Sequence, residues 1–316
     1  MIYPSSEEGA IPIAQLNDTT KPTAEDIARV KGLGFLMDKR TGNTFNARVL
    51  TRNGKITTAE SRAIADAADK YGSGEIAMTS RLCIEVQGIP FENIDPFLAA
   101  MAESGLDVGG TGPKVRPVVS CKGTSCQYGL IDTFALASAI HERFYKGWHD
   151  VKLPHKFKIA VGGCPNNCVK PDLNDLGIIG QRVPKIDLDK CRGCKKCQIE
   201  AGCPIKVAKV VDGKIAIDPD ACNHCGRCVN KCPFGAIEES VTGYRLYLGG
   251  RWGKEGARGI PLPKIYTDPA EVLDAIEVIL TYYRDHGAPG TRFGKCDLQQ
   301  IAAALAEPAA IADALK

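Results

Sequence analysis

Twelve of the fourteen cysteines in this 316-residue chain lie in closely spaced sets, and these sets restrict the fold more than any other feature of the sequence. One set consists of two pairs on separate segments, Cys121 with Cys126 and Cys164 with Cys168. Four thiolates delivered as two close pairs suit a cubane iron-sulfur cluster, since each iron takes one sulfur ligand from the protein. We therefore predict a [4Fe-4S] cluster here. The alternative is a structural zinc site, which also uses paired cysteines.

The other eight cysteines of these sets lie between residues 186 and 240, in two similar runs. The runs read Cys191-Arg-Gly-Cys194-Lys-Lys-Cys197 with Cys203-Pro, and Cys222-Asn-His-Cys225-Gly-Arg-Cys228 with Cys232-Pro. Both follow the bacterial ferredoxin pattern, in which the fourth cysteine of each run binds the other cluster, although the first run is two residues longer before its last cysteine. The predicted ligand sets are Cys191, Cys194, Cys197 and Cys232 for one [4Fe-4S] cluster, and Cys222, Cys225, Cys228 and Cys203 for the other. A zinc ribbon is the alternative.

Composition and the first residues restrict the class of protein. The chain is 44% hydrophobic and long enough for two domains with buried cores. Its net charge of +3 is spread along the chain and favours neither nucleic acid nor a membrane surface as a partner. A signal peptide and long apolar runs are missing, so we expect a cytoplasmic protein without a membrane span, whose thiols stay available for metal. Cys83 and Cys296, outside the sets, are expected to be buried apolar side chains.

The pattern of apolar residues and of turn residues predicts alternating strands and helices, which is typical of the α+β class. A capping box at Thr57 and Glu60 marks the start of one helix, and Asn53-Gly54 marks a turn before it. The predicted elements are a strand over 44–51, a helix from 57 to Gly72, a strand over 75–86, a helix over 93–104, a helix over 130–144, a strand over 156–162, a helix over 268–285 that ends at Gly287, and a tail helix from 297.

The residues that flank the first set of cysteines match a narrower group of proteins. Val-Val-Ser-Cys121-Lys-Gly-Thr-Ser-Cys126, Val-Gly-Gly-Cys164-Pro-Asn-Asn-Cys168 and Asn174-Asp-Leu-Gly-Ile-Ile-Gly180 resemble the cluster motif of siroheme-containing sulfite and nitrite reductases. The family pattern has five residues between the first two cysteines, whereas this chain has four. The resemblance is greatest to the ferredoxin-containing anaerobic sulfite reductase subunits. It implies a bound siroheme, with Cys168 also bridging the cluster to the siroheme iron.

Four basic residues stand where this family binds its anionic substrate. Arg81 lies in Thr79-Ser-Arg81, which resembles a Thr-Thr-Arg motif, and Arg116 lies just before the first cysteine loop. Lys156 and Lys158 match a Lys-Phe-Lys pair, and alternate positions on a strand face the same side. The resemblance implies that these four residues are catalytic: they bind the sulfite oxygens and help to supply protons.

Three further residues are predicted to contact the siroheme, namely Arg48, Asn167 and Arg251. Arg251 lies in Gly249-Gly-Arg-Trp-Gly253, a glycine loop that we expect to let the backbone approach a bulky tetrapyrrole. Its guanidinium is a candidate partner for a carboxylate of the ring.

The resemblance also explains where the ferredoxin-like runs lie. In family members that lack a ferredoxin domain, a Gly-Leu-Val-Gly strand is followed directly by a Tyr-Leu-Gly-Gly strand. In this chain the corresponding segments are Gly177-Ile-Ile-Gly180 and Tyr247-Leu-Gly-Gly250. We therefore expect an α+β siroheme sulfite reductase half with a 2[4Fe-4S] ferredoxin domain inserted into a hairpin. The predicted parts are an N-terminal arm (1–45), a ferredoxin-like half-domain (46–117), a siroheme and [4Fe-4S] domain (118–185 and 241–295), the inserted ferredoxin (186–240) and a C-terminal helical tail (296–316).

The function implied by this resemblance is the six-electron reduction of sulfite to hydrogen sulfide. Nucleotide and flavin motifs are missing, and Gly72-Ser-Gly74 follows a helix, the wrong context for a dinucleotide loop, so we expect electrons from a partner such as a ferredoxin or flavoprotein. The family scaffold has two similar halves and this chain contains one, which predicts a homodimer or a heteromer with a related half. The alternatives are nitrite reduction to ammonia, an electron-transfer subunit with an inactive siroheme site, and reduction of another small oxidised sulfur or nitrogen compound.

Overall fold

The computed structural model describes residues 22–306, which divide into one unit that ends at Gly112 and another that begins at Pro113. Residues 1–21 of the predicted arm and 307–316 of the predicted tail lie outside the described residues. Within the described part, no helix combines the length and the apolar character needed to cross a membrane.

The first unit is built on a four-stranded antiparallel sheet. Its elements are α1 (Ala24–Gly32), β1 (Phe35–Met37), β2 (Thr44–Val49), α2 (Thr58–Tyr71), β3 (Ile76–Met78), β4 (Ile84–Pro90) and α3 (Ile94–Glu103). The strand order is β1-β2-β4-β3. Val30 and Phe35, on α1 and β1, belong to its hydrophobic core. The folded unit therefore begins before residue 46, inside the segment predicted as an arm.

The predicted capping box of α2 is confirmed: the Thr57 hydroxyl accepts the Glu60 N–H, and the Glu60 carboxylate accepts the Thr57 N–H. The single strand predicted over 75–86 is wrong, because the chain turns between β3 and β4. In that turn Thr79 N–H bonds to the Cys83 carbonyl oxygen at 2.9 Å, and Cys83 N–H bonds to the Thr79 hydroxyl at 3.1 Å. The turn contains neither glycine nor proline, which is why its sequence resembles a continuous strand.

The second unit is built on a five-stranded mixed sheet. Its elements are β5 (Val119–Ser120), α4 (Thr133–Ile140), β6 (Ile159–Gly162), β7 (Leu176–Pro184), α5 (Gln198–Gly202), β8 (Ala208–Val211), β9 (Lys214–Ile217), β10 (Ser240–Leu248), β11 (Ile260–Tyr266), α6 (Pro269–His286) and α7 (Leu298–Ala306). The order is β11-β10-β7-β6-β5; β5, β6 and β7 run parallel, whereas β10 pairs antiparallel with β7 and β11. The helix predicted over 130–144 is α4 followed by a π-helical segment, His141–Lys146.

The hairpin predicted to carry the insertion is confirmed by the pairing of β7 with β10, in which Gly177 lies opposite Tyr247 and Gly180 opposite Tyr244. The segment between these strands has a small core of its own, with Ile199, Ile215 and Ile237 buried and cysteine side chains around them. Together the two units give the α+β class expected from the sequence.

Candidate active site

The first set of cysteines lies on two loops that follow the carboxyl ends of the parallel strands β5 and β6. Cys121 directly follows β5, and Cys126 follows a 3-10 turn, Gly123–Ser125, which lies within the four residues between the two cysteines. Cys164 comes two residues after the end of the parallel neighbour β6. The loops are in contact, because the Cys121 sulfur accepts hydrogen bonds from Gly123 N–H at 3.4 Å and from Gly163 N–H at 3.1 Å.

The contact between the two loops brings the Cys164 thiol near the other thiols of this set. Burial raises the pKa of the Cys164 thiol, and the neighbouring Cys121, Cys168 and Cys126 raise it further. Cys168 is exposed, whereas the other three are partly buried. Within residues 22–306, no three His, Cys, Asp or Glu side chains converge on one point as a single zinc ion requires. A cubane spreads its four thiolates over four irons, so it accepts a wider arrangement.

In the insertion, Cys203 lies with the second cysteine run, as the predicted exchange of fourth ligands requires. A cavity is lined by Cys203, Cys222, Cys225 and Cys228. Burial raises the pKa of Cys228 to about 11, and the charges of the other three thiols contribute to the rise. Because all four side chains line one cavity, they fit the ligand set predicted for one cluster.

The first run of the insertion offers a thiolate that the backbone already stabilises. Backbone N–H groups of Gly193 and Ile215 lower the pKa of Cys191, and the Ile215 N–H lies 3.3 Å from its sulfur. The thiolate is the form of cysteine that binds metal. Cys197 and Cys232 border the same small core as Cys191, and Cys194 is partly buried.

Arg116, Lys156 and Lys158 lie on adjacent extended segments just before β5 and β6. Val115 pairs in parallel with Phe157, and the Arg116 N–H donates to the Phe157 carbonyl oxygen at 2.8 Å. Phe157 is fully buried, while the lysines on either side of it are partly exposed. The two lysines therefore share the face opposite the core, as the alternation of a strand predicts.

Three residues that the sequence analysis did not identify complete this group: His155, Asp175 and Arg292. The Asp175 carboxylate is 1% exposed and accepts hydrogen bonds from Arg292 Nη2 at 2.7 and 2.8 Å and from Arg292 Nε at 3.1 Å. It also accepts the Lys158 N–H at 2.9 Å. Burial raises the pKa of Asp175, against the opposing effects of Arg292 and of the Lys158 N–H.

The crowding of cations changes how Lys156 and His155 ionise. Burial lowers the pKa of Lys156, and the positive charges of Arg292 and Arg116 lower it further. Burial and the charges of Lys156 and Arg292 also lower the pKa of His155. Lys156 can therefore release a proton at a lower pH than an ordinary lysine.

Packing of aromatic rings explains why residues so distant in sequence meet. Phe157 lies between the two lysines and packs against Phe293 with ring centroids 5.1 Å apart, and against Tyr283 at 5.7 Å. The Tyr283 hydroxyl donates to the Thr291 carbonyl oxygen at 2.6 Å. Because Arg292 lies between these anchored residues, it is held beside Lys156. The sequence around Arg292 does not indicate that this residue lies beside Lys156. The only signal was an apolar residue next to each of the two cations.

The predicted siroheme contacts in this unit have different surroundings. Asn167 Nδ2 donates to Asp172 at 2.7 Å, and its Oδ1 is buried with no hydrogen-bond partner among the described residues. Arg251 donates to the carbonyl oxygen of Glu255 at 2.6 Å and forms an ion pair with its carboxylate at 3.1 Å.

The glycines around Arg251 differ in what lies next to them. A Cβ atom at Gly250 would lie 2.2 Å from the Asp172 carbonyl oxygen, and one at Gly249 would lie 2.4 Å from the side chain of Leu298. Gly249 and Gly250 are therefore required by close approaches within the chain, whereas a Cβ atom at Gly253 would meet nothing within 4 Å. The approach of this loop to a tetrapyrrole stays a prediction.

The first unit carries the remaining two predicted residues, Arg48 and Arg81. Arg48 lies on β2, donates to the Gly110 carbonyl oxygen at 3.3 Å and lies 3.7 Å from the Glu85 carboxylate. Arg81 lies in the turn between β3 and β4, and its carbonyl oxygen is 3.5 Å from the sulfur of Cys83. Cys83 is 2% exposed, in keeping with the buried apolar role expected for it.

Comparison with known proteins gives matches over most of the chain. Residues 111–295 match the nitrite and sulphite reductase 4Fe-4S domain, and residues 37–104 match the nitrite/sulfite reductase ferredoxin-like half domain. The coenzyme F420-dependent sulfite reductase of Methanocaldococcus jannaschii is 33% identical over 247 residues, which are 78% of this chain and 38% of the relative. One of the subunits of the anaerobic sulfite reductase of Salmonella typhimurium is 29% identical over 54% of this chain and 50% of its own length.

Among solved structures, dissimilatory sulfite reductase I matches with a TM-score of 0.65 and 25% identity, over 83% of this chain and 69% of that chain. The chain spans at most half the length of the two sequence relatives described above. The first family model alone covers more than half of the chain and includes all twelve clustered cysteines. The chain therefore belongs to the siroheme-containing nitrite and sulfite reductase family, whose members carry a siroheme and a [4Fe-4S] cluster.

Proposed function

We propose that this chain reduces sulfite to hydrogen sulfide at a siroheme coupled to a [4Fe-4S] cluster on Cys121, Cys126, Cys164 and Cys168. One observation carries the proposal: two adjacent parallel segments each begin with cations and end at a cysteine pair. Arg116 precedes β5 and the first pair, and Lys156 and Lys158 precede β6 and the second pair. The same two strands therefore carry, at one end, the cations proposed to bind the oxyanion and, at the other end, the cysteines proposed to bind the cluster.

The residues present fit both groups. Four soft thiols on two loops that are in hydrogen-bond contact suit the cluster. Cys168 is the exposed member of the four, so its sulfur is accessible to a second group such as the siroheme iron. Asn167, one residue before it, has a buried oxygen with no partner among residues 22–306, which a bound group would satisfy. When bound, siroheme supplies an iron that takes the sulfur of sulfite and accepts electrons one at a time.

The side chains of this unit supply charge and protons. Arg116, Lys156 and Lys158 compensate the negative charge of the oxyanion, and Arg292 keeps a further positive charge beside them. Asp175 neutralises part of that charge and holds the backbone of Lys158 in place. The lowered pKa of Lys156 makes it the best placed of the lysines to donate a proton as sulfite oxygens leave. The roles of Arg48, Arg81 and Arg251 stay predictions from the resemblance.

The cofactor set and the reaction are tested together on protein purified without oxygen. We expect siroheme absorption bands, about 13 iron atoms per chain from three cubanes and one siroheme, and sulfide formation from sulfite with reduced methyl viologen as the electron source. Cluster absorption without siroheme bands would overturn the proposal in favour of an electron-transfer subunit. Because the matched family model covers both substrates, the ratio of kcat/KM for sulfite to that for nitrite decides between them.

Replacing Lys156 by alanine should lower kcat/KM for sulfite by roughly 10²–10³, since removal of one preorganised donor to a developing charge has an effect of this size. Lys152→Ala is the matched control, because Lys152 is exposed and lies on the same segment. Steady-state kinetics of both variants at equal siroheme content make the comparison. Full sulfite turnover by Lys156→Ala would contradict the assigned role.

The pH dependence follows from the lowered pKa of Lys156. Its ammonium binds the anion only below that pKa, so KM for sulfite should rise with pH at values below 10.5, the ordinary lysine value. The charges of Arg292 and Arg116 favour the neutral lysine in this group, whereas Asp175 favours the charged form. Lys156→Arg should move the rise to higher pH, because a guanidinium does not deprotonate in this range. An unchanged alkaline limb in Lys156→Arg would assign the titration to another group.

The predicted assembly also belongs to this proposal. The Salmonella relative is named as one part of a larger enzyme, and we propose that this chain pairs with a second, related half, either another copy or a different chain. Native mass spectrometry of the protein purified from its source tests this, and a monomer at working concentration would contradict it.

A further inference from the structure

The inserted segment has one cysteine run attached to the mixed sheet. Arg182 N–H on β7 donates to the His224 carbonyl oxygen at 2.7 Å, and the His224 ring bonds to the Gln181 side chain at 2.9 Å. The Arg227 guanidinium lies 4.7 Å from the ring centroid of Tyr128. Tyr128 comes two residues after Cys126. The run from Cys222 to Cys228 therefore faces the four-thiol site.

The other run points to solvent and is surrounded by positive charge. Between its cysteines lie Arg192, Lys195 and Lys196, all exposed, and Lys231 is exposed beside Cys232, the predicted fourth ligand of the same cluster. Arg192 stacks over Phe234 at 4.4 Å, which joins the two loops into one surface. We call this surface the basic face; its residues are Arg192, Lys195, Lys196, Lys231 and Phe234.

The charges of the basic face are not neutralised by acidic residues within the part of the chain that the structure describes. Among residues 22–306, none of its four cations forms a side-chain ion pair. The nearby acidic groups bind other lysines: Lys190 pairs with Glu238 at 2.9 Å and Lys185 with Glu239 at 3.2 Å. Phe234 adds a 39% exposed aromatic ring, the kind of side chain that is enriched in protein interfaces.

We propose that the basic face binds a small acidic electron-carrier protein, which delivers electrons beside the Cys191 run. This inference rests on the proposed redox function. Four uncompensated cations around an exposed aromatic ring complement an acidic protein surface with an apolar centre. In each encounter the carrier is oxidised by one electron and the chain is reduced by one, so six encounters balance one sulfite. The Cys222 run, which is bonded to β7, lies on the side of the insertion towards the four-thiol site.

The test measures binding of an acidic ferredoxin to the complete, cofactor-loaded protein by isothermal titration calorimetry at several salt concentrations. In the double variant Lys195→Glu, Lys196→Glu we expect Kd to rise roughly tenfold or more at low salt and to depend less on salt, because the attraction between opposite charges is lost. Lys231→Glu, on the other run, should weaken binding in the same direction. Iron content and circular dichroism confirm that each variant is folded and loaded.

The matched control is the double variant Lys31→Glu, Lys152→Glu, which makes the same charge change at exposed positions elsewhere. At about 0.15 M salt its Kd should stay within about twofold of the wild type, since the Debye length is then about 8 Å and charges away from the docking site are screened. Equal weakening in both double variants, or none in either, would overturn the basic face as the docking site. Failure of the proposed function has a different signature, namely wild-type protein that forms no sulfide with reduced methyl viologen.

Discussion

Cys164→Ser should lose about five iron atoms per chain, four from the cluster and one from the siroheme, together with the siroheme absorption, and its sulfite turnover should fall to background. Cys164 lies among Cys121, Cys126 and Cys168, and these neighbours influence its ionisation. Because a serine hydroxyl is a poor ligand for the soft iron of the cluster, the site should not assemble. Iron and acid-labile sulfide analysis and the visible spectrum, on protein purified without oxygen, measure the loss separately from activity.

Cys296→Ala is the control for this substitution. Cys296 is partly buried like Cys164 but lies outside the cysteine sets, beside the core of the same unit. Its iron content should equal that of the wild type. The two ferredoxin-type clusters should persist in Cys164→Ser, since their eight ligands lie on other segments. A Cys164→Ser protein with the full complement of iron would remove this residue from the ligand set.

Arg292→Ala should lower the free energy of unfolding of the second unit by about 3–5 kcal/mol, because it leaves the buried Asp175 carboxylate without its cation. The carboxylate is 1% exposed and the guanidinium 16% exposed, so solvent screens this pair little. For a unit of this size the loss corresponds to a fall in Tm of roughly 6–20 °C. Thermal unfolding followed by circular dichroism on the loaded protein measures it.

The pH dependence of this loss has a definite sign. Burial already raises the pKa of Asp175 in the folded protein above its ordinary 3.8, and removal of Arg292 should raise it further. A carboxyl group whose folded pKa is raised stabilises the fold while it is protonated, and that stability is lost as pH rises through the folded pKa. The deficit of Arg292→Ala should therefore grow as pH rises above 3.8 through the raised folded pKa of Asp175. A deficit that grows towards acid pH would contradict the buried-charge explanation.

Arg284→Ala is the matched control, since Arg284 also pairs with an aspartate, Asp285, at 2.6 Å. The two side chains are 42% and 43% exposed, so this ion pair should contribute only about 0–1 kcal/mol. If both substitutions cost the same, burial would not be the reason for the effect at Arg292.

The sequence alone was enough to identify the family, since the spacing of twelve cysteines and their flanking residues specifies metal ligation independently of how the chain is packed. It also predicted the insertion between Gly180 and Tyr247, because both strands keep recognisable glycines. Gly180 must be glycine, since a Cβ atom at this position would lie 2.5 Å from the Gly163 carbonyl oxygen. Local signals such as the Thr57 capping box predicted helix starts for the same reason: the interacting groups are three residues apart.

Only the tertiary structure showed which further residues lie beside Lys156. Arg292 is 136 residues from Lys156 in sequence and meets it because Phe157, Tyr283 and Phe293 pack together. Burial of Asp175 and the lowered pKa of Lys156 depend on that packing and leave no local pattern. The turn at Thr79–Cys83 was missed because a side-chain hydroxyl closes it where glycine or proline would have marked it. Ligand spacing is a property of neighbours along the chain, whereas charge, burial and proton affinity are properties of neighbours in space.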